Sequence, residues 1–130
     1  MASAPAYAAN PRSLDIVQVS AANTNRDGTG TIVTACAGVA AGTRISSVTL
    51  TATVTTTAGM VRLFLSTDTG TTWRLFKEIS VIAATPSATV KAFTAREEFE
   101  DLVLTGTSDL LGASTHNAEA INVFPAVMDL

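Results

Sequence analysis

Side chains able to do chemistry are few in this chain of 130 residues, which holds one histidine, His116, and one cysteine, Cys36. A cysteine nucleophile needs a base beside it, and His116 is far away in the sequence. Cys36, between Ala35 and Ala37, reads as a small buried hydrophobe. His116 precedes Asn117 in a turn, where a structural hydrogen bond is the expected role. One thiol makes no internal disulfide, so a disulfide-stapled secreted domain is excluded. No His/Cys pair has metal-ligand spacing. Glu97, Glu98, Glu100 and Asp101 crowd one segment, yet acid–base catalysis needs carboxyl groups whose surroundings push their pKa values apart. Glycoside hydrolysis needs two of them facing each other across the bond. A solvated acidic rim is the expectation. With no nucleophile elbow and no phosphate-cradling glycine turn, neither an enzyme nor a cofactor is expected.

Asn23-Thr24-Asn25-Arg26-Asp27-Gly28 places oxygen-bearing side chains at alternate positions before a glycine. It resembles the opening of an EF-hand calcium loop, but the position of the bidentate glutamate is taken by Thr34 and the flanks are strand-like. A turn held by its own Asn and Asp side chains is expected instead.

A more specific pattern runs Ser66-Thr67-Asp68-Thr69-Gly70-Thr71-Thr72-Trp73. Asp68 is placed to accept hydrogen bonds from N–H groups further round the turn. Gly70 tolerates positive φ, and Trp73 is free to fold over the hairpin. This resembles the Asp-box hairpin of sialidases, which implies a structural role for Ser66, Asp68, Gly70 and Trp73. A single copy excludes a propeller.

The elements that carry these turns are short strands. In Arg44–Val81 the alternation is cleanest: Val48, Leu50, Ala52 and Val54 share one face, and Thr49, Thr51, Thr53 and Thr55 the other. Met60–Ser66 and Thr72–Ile82 follow as a meander, with Lys77 interrupting the apolar face of the second. Further strands are expected at Leu14–Ser20, Thr31–Ala37, Ala88–Phe93, within 107–115, and at Glu119–Val127. The acidic segment after Phe93 is expected as a strand end running into a loop. Leu14–Ser20 is apolar on both sides, as a strand at a subunit contact would be. Hydrophobic residues make up 47 % and charged ones 15 %, an ordered composition rather than a disordered one. About eight strands without a confident helix give an all-β fold: one antiparallel β-sandwich over residues 13–130, jelly-roll-like. Residues 1–12, with Pro5 and Pro11 and no periodicity, read as an extended N-terminal arm. Tyr7, Pro11, Arg12 and Leu14 are its candidate partner-binding residues.

Net charge is −3 with no basic cluster, so nucleic-acid binding lacks its electrostatic requirement. No signal peptide and no membrane-spanning apolar run is read. Four stretches, Asn23–Gly30, Thr56–Phe64, Thr85–Ala88 and Ala113–Glu119, resemble small structural proteins of tailed bacteriophages. That resemblance implies a head decoration or cement protein on the outer capsid surface, made in the bacterial cytoplasm. It implies a homotrimer bridging subunits of the major capsid protein, and no catalytic residues. A neck, tail or baseplate component and a carbohydrate-binding module are the rival readings. The second suffers from an aromatic content of only 5 %, because sugar sites need exposed ring faces.

Overall fold

The structure, a computed structural model, describes residues 10–130, so Tyr7 and Pro5 lie outside the described residues. Eight strands form: β1 (Val17–Val19), β2 (Val33–Ala37), β3 (Thr43–Ala52), β4 (Gly59–Ser66), β5 (Arg74–Val81), β6 (Thr94–Leu104), β7 (Leu110–Thr115) and β8 (Ile121–Asp129). They make two four-stranded sheets, ordered β1-β8-β3-β6 and β2-β7-β4-β5. All strand pairs are antiparallel. The result is an all-β sandwich of two sheets.

Four expectations about the elements change. β3 and β4 do not form a meander, because they lie in different sheets and only β4–β5 is a hairpin. Alternation says which side of a strand is buried, not which sheet holds it. Val54 is exposed because β3 ends at Ala52. The acidic segment is no loop but most of β6, the longest strand at 11 residues, while residues 88–93 form no strand. There the Ser87 hydroxyl accepts hydrogen bonds from the N–H groups of Thr89 and Val90 and folds the chain into a turn. In β6, Ala95, Glu97 and Phe99 are the more buried residues, alternating with exposed Thr94, Arg96, Glu98 and Glu100. The segment is therefore a true amphipathic strand whose polar look comes from its place at a sheet edge.

Between the sheets, Ile45, Val48 and Leu50 of β3 meet Val61, Leu63, Leu111, Ala113, Ile121 and Val123. All of these are essentially inaccessible, so this is where burial stabilises the fold, at about 25 cal/mol per Å² of apolar surface. The other face of β4 is buried as well, since Arg62, Phe64 and Ser66 are inaccessible. So is every residue of β7. The cause is the segment between β1 and β2, residues 20–32, which crosses the outside of the second sheet as a strap. Its Asn23 N–H donates to Thr115 O at 2.8 Å. At its far end Ile32 and the Trp73 ring close over Gly112, which pairs with Phe64.

That closure explains the glycine. A Cβ at position 112 would stand 2.7 Å from Ile32 Cγ2 and 2.8 Å from Trp73 Cζ3. Gly112→Ala is expected to cost about 2 kcal/mol through overpacking, read from urea unfolding; an unchanged midpoint would mean that strap and indole are not seated there.

Candidate interaction surfaces

The most constrained polar group is Arg62, in the middle of β4, with only 5 % of its side chain accessible. A buried guanidinium is tolerated only when its N–H groups are answered. Nε donates to Glu78 Oε2 at 2.8 Å. Nη1 donates to the Asn23 carbonyl at 3.4 Å and lies 3.3 Å from His116 Nδ1. Because Arg62 has only donors, that imidazole nitrogen accepts and carries no proton, which leaves the proton on Nε2. Arg26 of the strap also donates to Glu78 Oε2, at 3.0 Å. One carboxylate thus clamps the strap to the sheet. The Arg62 hydrogen bond, seconded by Arg26, holds the Glu78 carboxyl below the usual range. His116 has the structural place expected of it in a turn.

The strap's own turn is closed by side chains. Asn23 Nδ2 donates to the carbonyls of Thr29 and Thr31, each at 3.0 Å, while its Oδ1 accepts the Asn25 N–H. Asp27 Oδ1 accepts both the N–H and the hydroxyl of Thr29, which lower its pKa. Among the described residues no three His, Cys, Asp or Glu side chains are grouped to hold a metal ion.

In the β4–β5 hairpin, Asp68 Oδ1 accepts the Thr72 N–H and the Ser66 hydroxyl, both at 2.8 Å. These two bonds, the first more than the second, hold the Asp68 pKa down. Ser66 Oγ in turn accepts the Gly70 N–H at 2.9 Å, with Gly70 at φ +86°. The Trp73 ring lies over Gly70, its Cζ2 at 3.4 Å from the site a Cβ would take. Ser66, Asp68, Gly70 and Trp73 therefore act together as a turn.

The arm's last residues lie on the sandwich. Asn10 N–H donates to Asp129 O at 3.2 Å. Arg12 Nη1 donates to Asp129 Oδ1 at 3.1 Å and to Thr43 Oγ1 at 3.3 Å, and its Nε pairs with Asp15 at 3.0 Å. Burial works against the Arg12 charge, but the bond to Asp129 and the nearby Asp15 outweigh it and raise its pKa. Arg12 is thus committed within its own chain, and Pro11 beside it is exposed. Leu14 is 81 % and Ile16 55 % exposed.

At the opposite edge of the sandwich, Glu98, Glu100 and Asp101 rim an open groove of about 540 Å³, lined also by Phe76, Lys77, Phe99 and Leu102. Lys77 reaches in from β5 to pair with Glu97 at 3.0 Å, and its Nζ stands 5.7 Å from the centre of the Phe99 ring. The groove thus sets one lysine and an aromatic face among three carboxylates. Cys36 is buried. Between the β3–β4 and β7–β8 connections, Asn117 Nδ2 donates to Thr57 Oγ1 and Ala58 O, and Glu119 accepts the Thr57 N–H.

Sequence reasoning missed Arg62 and the anchoring role of Asn23. The available signal was an arginine between Val61 and Leu63, in a strand whose next outward residue is Phe64. No family model and no curated protein matches this chain.

Two outcomes follow. Arg62→Met should cost about 2 kcal/mol through loss of charge-assisted hydrogen bonds and speed amide exchange in the strap. Because the Glu78 pKa is lowered in the fold, its contribution is whole above the ordinary 4.5 and is lost as pH falls through the folded value. The gap between wild type and Arg62→Met, read from urea midpoints near neutral pH and at about pH 3, should therefore narrow in acid. Separately, burial pushes the Cys36 thiol up to about 12. At about pH 8 a disulfide reagent should leave the folded protein untouched and label it once in denaturant.

Proposed function

We propose that this chain is a virion structural protein of a tailed bacteriophage: a decoration protein that sits on the outer head surface and bridges major capsid protein subunits. The observation that carries the reading is the strand order. Sheets β1-β8-β3-β6 and β2-β7-β4-β5 mean that every link except β4–β5 passes from one sheet to the other. We take this as a jelly roll, the double Greek key that recurs in viral capsid and lectin domains. The likeness of the four turn stretches to small phage structural proteins points the same way.

The chemistry on the surface supports a role by contact. The one cysteine is buried, and the one histidine, half-buried in a turn, meets Arg62. Two standard contacts take about 800 Å² each from one partner, under a quarter of the 7015 Å² accessible here. A sugar-binding role would need an exposed ring, but Trp73 is packed on Gly70 and Gly112.

Quantitative mass spectrometry of purified particles tests the reading. The expectation is on the order of hundreds of copies, in fixed ratio to the major capsid protein, as icosahedral symmetry requires. About six or twelve copies would move the chain to the neck or tail. Its absence from the particle would overturn the proposal.

A further inference from the structure

Arg62 Nη1 serves two acceptors at once. It donates to the Asn23 carbonyl of the strap at 3.4 Å and lies 3.3 Å from His116 Nδ1 in the β7–β8 turn. The strap is thus held to the sheet by a guanidinium whose other acceptor can take up a proton. Histidine is the side chain that ordinarily changes charge between about pH 5 and 8, and His116 is the only one in the chain.

Neutral His116 carries its proton on Nε2, so a second proton goes to Nδ1. That nitrogen then becomes a donor facing a donor, and two cations stand where a hydrogen bond now spans 3.3 Å. Only 5 % of the Arg62 side chain is accessible, so little water screens the repulsion. The backbone around the imidazole is pinned. The His116 N–H donates to Met60 O at 2.8 Å, and Thr115 O beside it accepts the Asn23 N–H. Strap and imidazole are therefore neighbours along β7 as well as through Arg62.

The other charged groups around this point keep their charge over the same range. Glu78 of β5 pairs with Arg62 at 2.8 Å, and its carboxyl is held below the ordinary 4.5. Arg26 of the strap stays cationic and pairs with the same carboxylate at 3.0 Å. Glu119, in the turn with His116, is engaged by the N–H and hydroxyl of Thr57. Once His116 is charged, the contacts His116–Arg62–Glu78–Arg26 hold three cations to one carboxylate. Of the ties on Arg62, the 3.4 Å bond to the Asn23 carbonyl is the longest and the bond to Glu78 the shortest. Arg62 therefore keeps Glu78 and gives up the strap.

We propose that protonation of His116 releases the strap, which makes the roof of the β2-β7-β4-β5 sheet an acid-sensitive latch. It is closed near neutral pH and loosens as pH falls through the histidine range. Loosening opens the outer face of β4, with its inaccessible Phe64, to water. The device belongs to the isolated protein and stands apart from the virion reading.

Hydrogen exchange of the full chain, followed by NMR at about pH 7.5 and 5 and corrected for intrinsic rates, tests it. Each pH unit below the histidine titration favours a state that gains one proton by up to about tenfold. Protection of the Asn23 amide should therefore fall about tenfold between the two conditions, while amides of β3 and β8 keep theirs. The ring protons of the one histidine should titrate with the same midpoint as the strap. His116→Asn sets an uncharged acceptor near the place of Nδ1 and should abolish the pH dependence. His116→Gln, a second uncharged acceptor, guards against a folding defect in the first variant. An imidazole that titrates while Asn23 protection stays level has swung aside without moving the strap, and that overturns the inference. So does a strap midpoint apart from that of the ring, or a pH dependence that survives both substitutions.

Discussion

A guanidinium buried in a β-sheet is the constraint around which one half of this molecule is arranged. Arg62 leaves water only because Glu78, the Asn23 carbonyl and His116 Nδ1 meet its donors. Each of those three comes from a different part of the chain, so satisfying one charge fixes three elements. The strap must pass where Asn23 does, the β7–β8 turn must present His116 unprotonated at Nδ1, and β5 must keep the register that sets Glu78 opposite Arg62. Replacing a whole buried ion pair by apolar residues need not weaken a protein, but losing Arg62 alone takes the stronger partner from Glu78 and the donor from the Asn23 carbonyl. The Arg26–Glu78 pair would remain as an ionic tie between strap and sheet. The arginine therefore fixes the arrangement of strap, hairpin and turn as well as contributing stability.

Once the strap is down, packing follows. It lets β4 and β7 be apolar or small on both faces, and it makes Gly112 necessary where Ile32 and Trp73 close over the sheet. The Asp68 turn belongs to the same system, because its tryptophan is part of the roof. A hairpin that looks local is thus joined to a loop more than forty residues upstream through one indole ring, and Gly28 of that loop lies close against the Trp73 backbone.

What the sequence disclosed depended on how far apart the partners lie. The Asp68 turn was readable because Ser66, Gly70 and Thr72 all fall within a few residues of one another. The all-β class and the number of strands were readable from alternation and turn residues. Arg62 was not, for its partners lie 16, 39 and 54 positions away. The meander failed for a related reason: nothing in Val48–Leu50 or Val61–Leu63 says which sheet receives each strand, and the apolar pattern is satisfied by either. β6 was misread because its inward residues include Glu97, whose partner Lys77 belongs to the other sheet. Apart, each looks like an interruption of an apolar face, yet together they form a cross-sheet pair.

That pair bears on how the molecule meets others. β5 and β6 are the last strands of their sheets on the same side of the sandwich, and free strand edges invite unwanted pairing. Inward-pointing charges discourage it, because a strand added there would strip water from Lys77 and Glu97. A break in register adds to this: Glu98 pairs with Ser47 and Leu102 with Ile45, so Phe99–Asp101 stand opposite Ser46 alone. The ladder is broken where a new strand would need it straight. On the other side β1 keeps only three paired residues, preceded by Pro11, which has no N–H to donate. Both sides are thus poor templates for open-ended strand addition, by different means. Edge pairing is therefore disfavoured, and among the described residues the two faces differ: the strap covers the outer side of one sheet and not of the other.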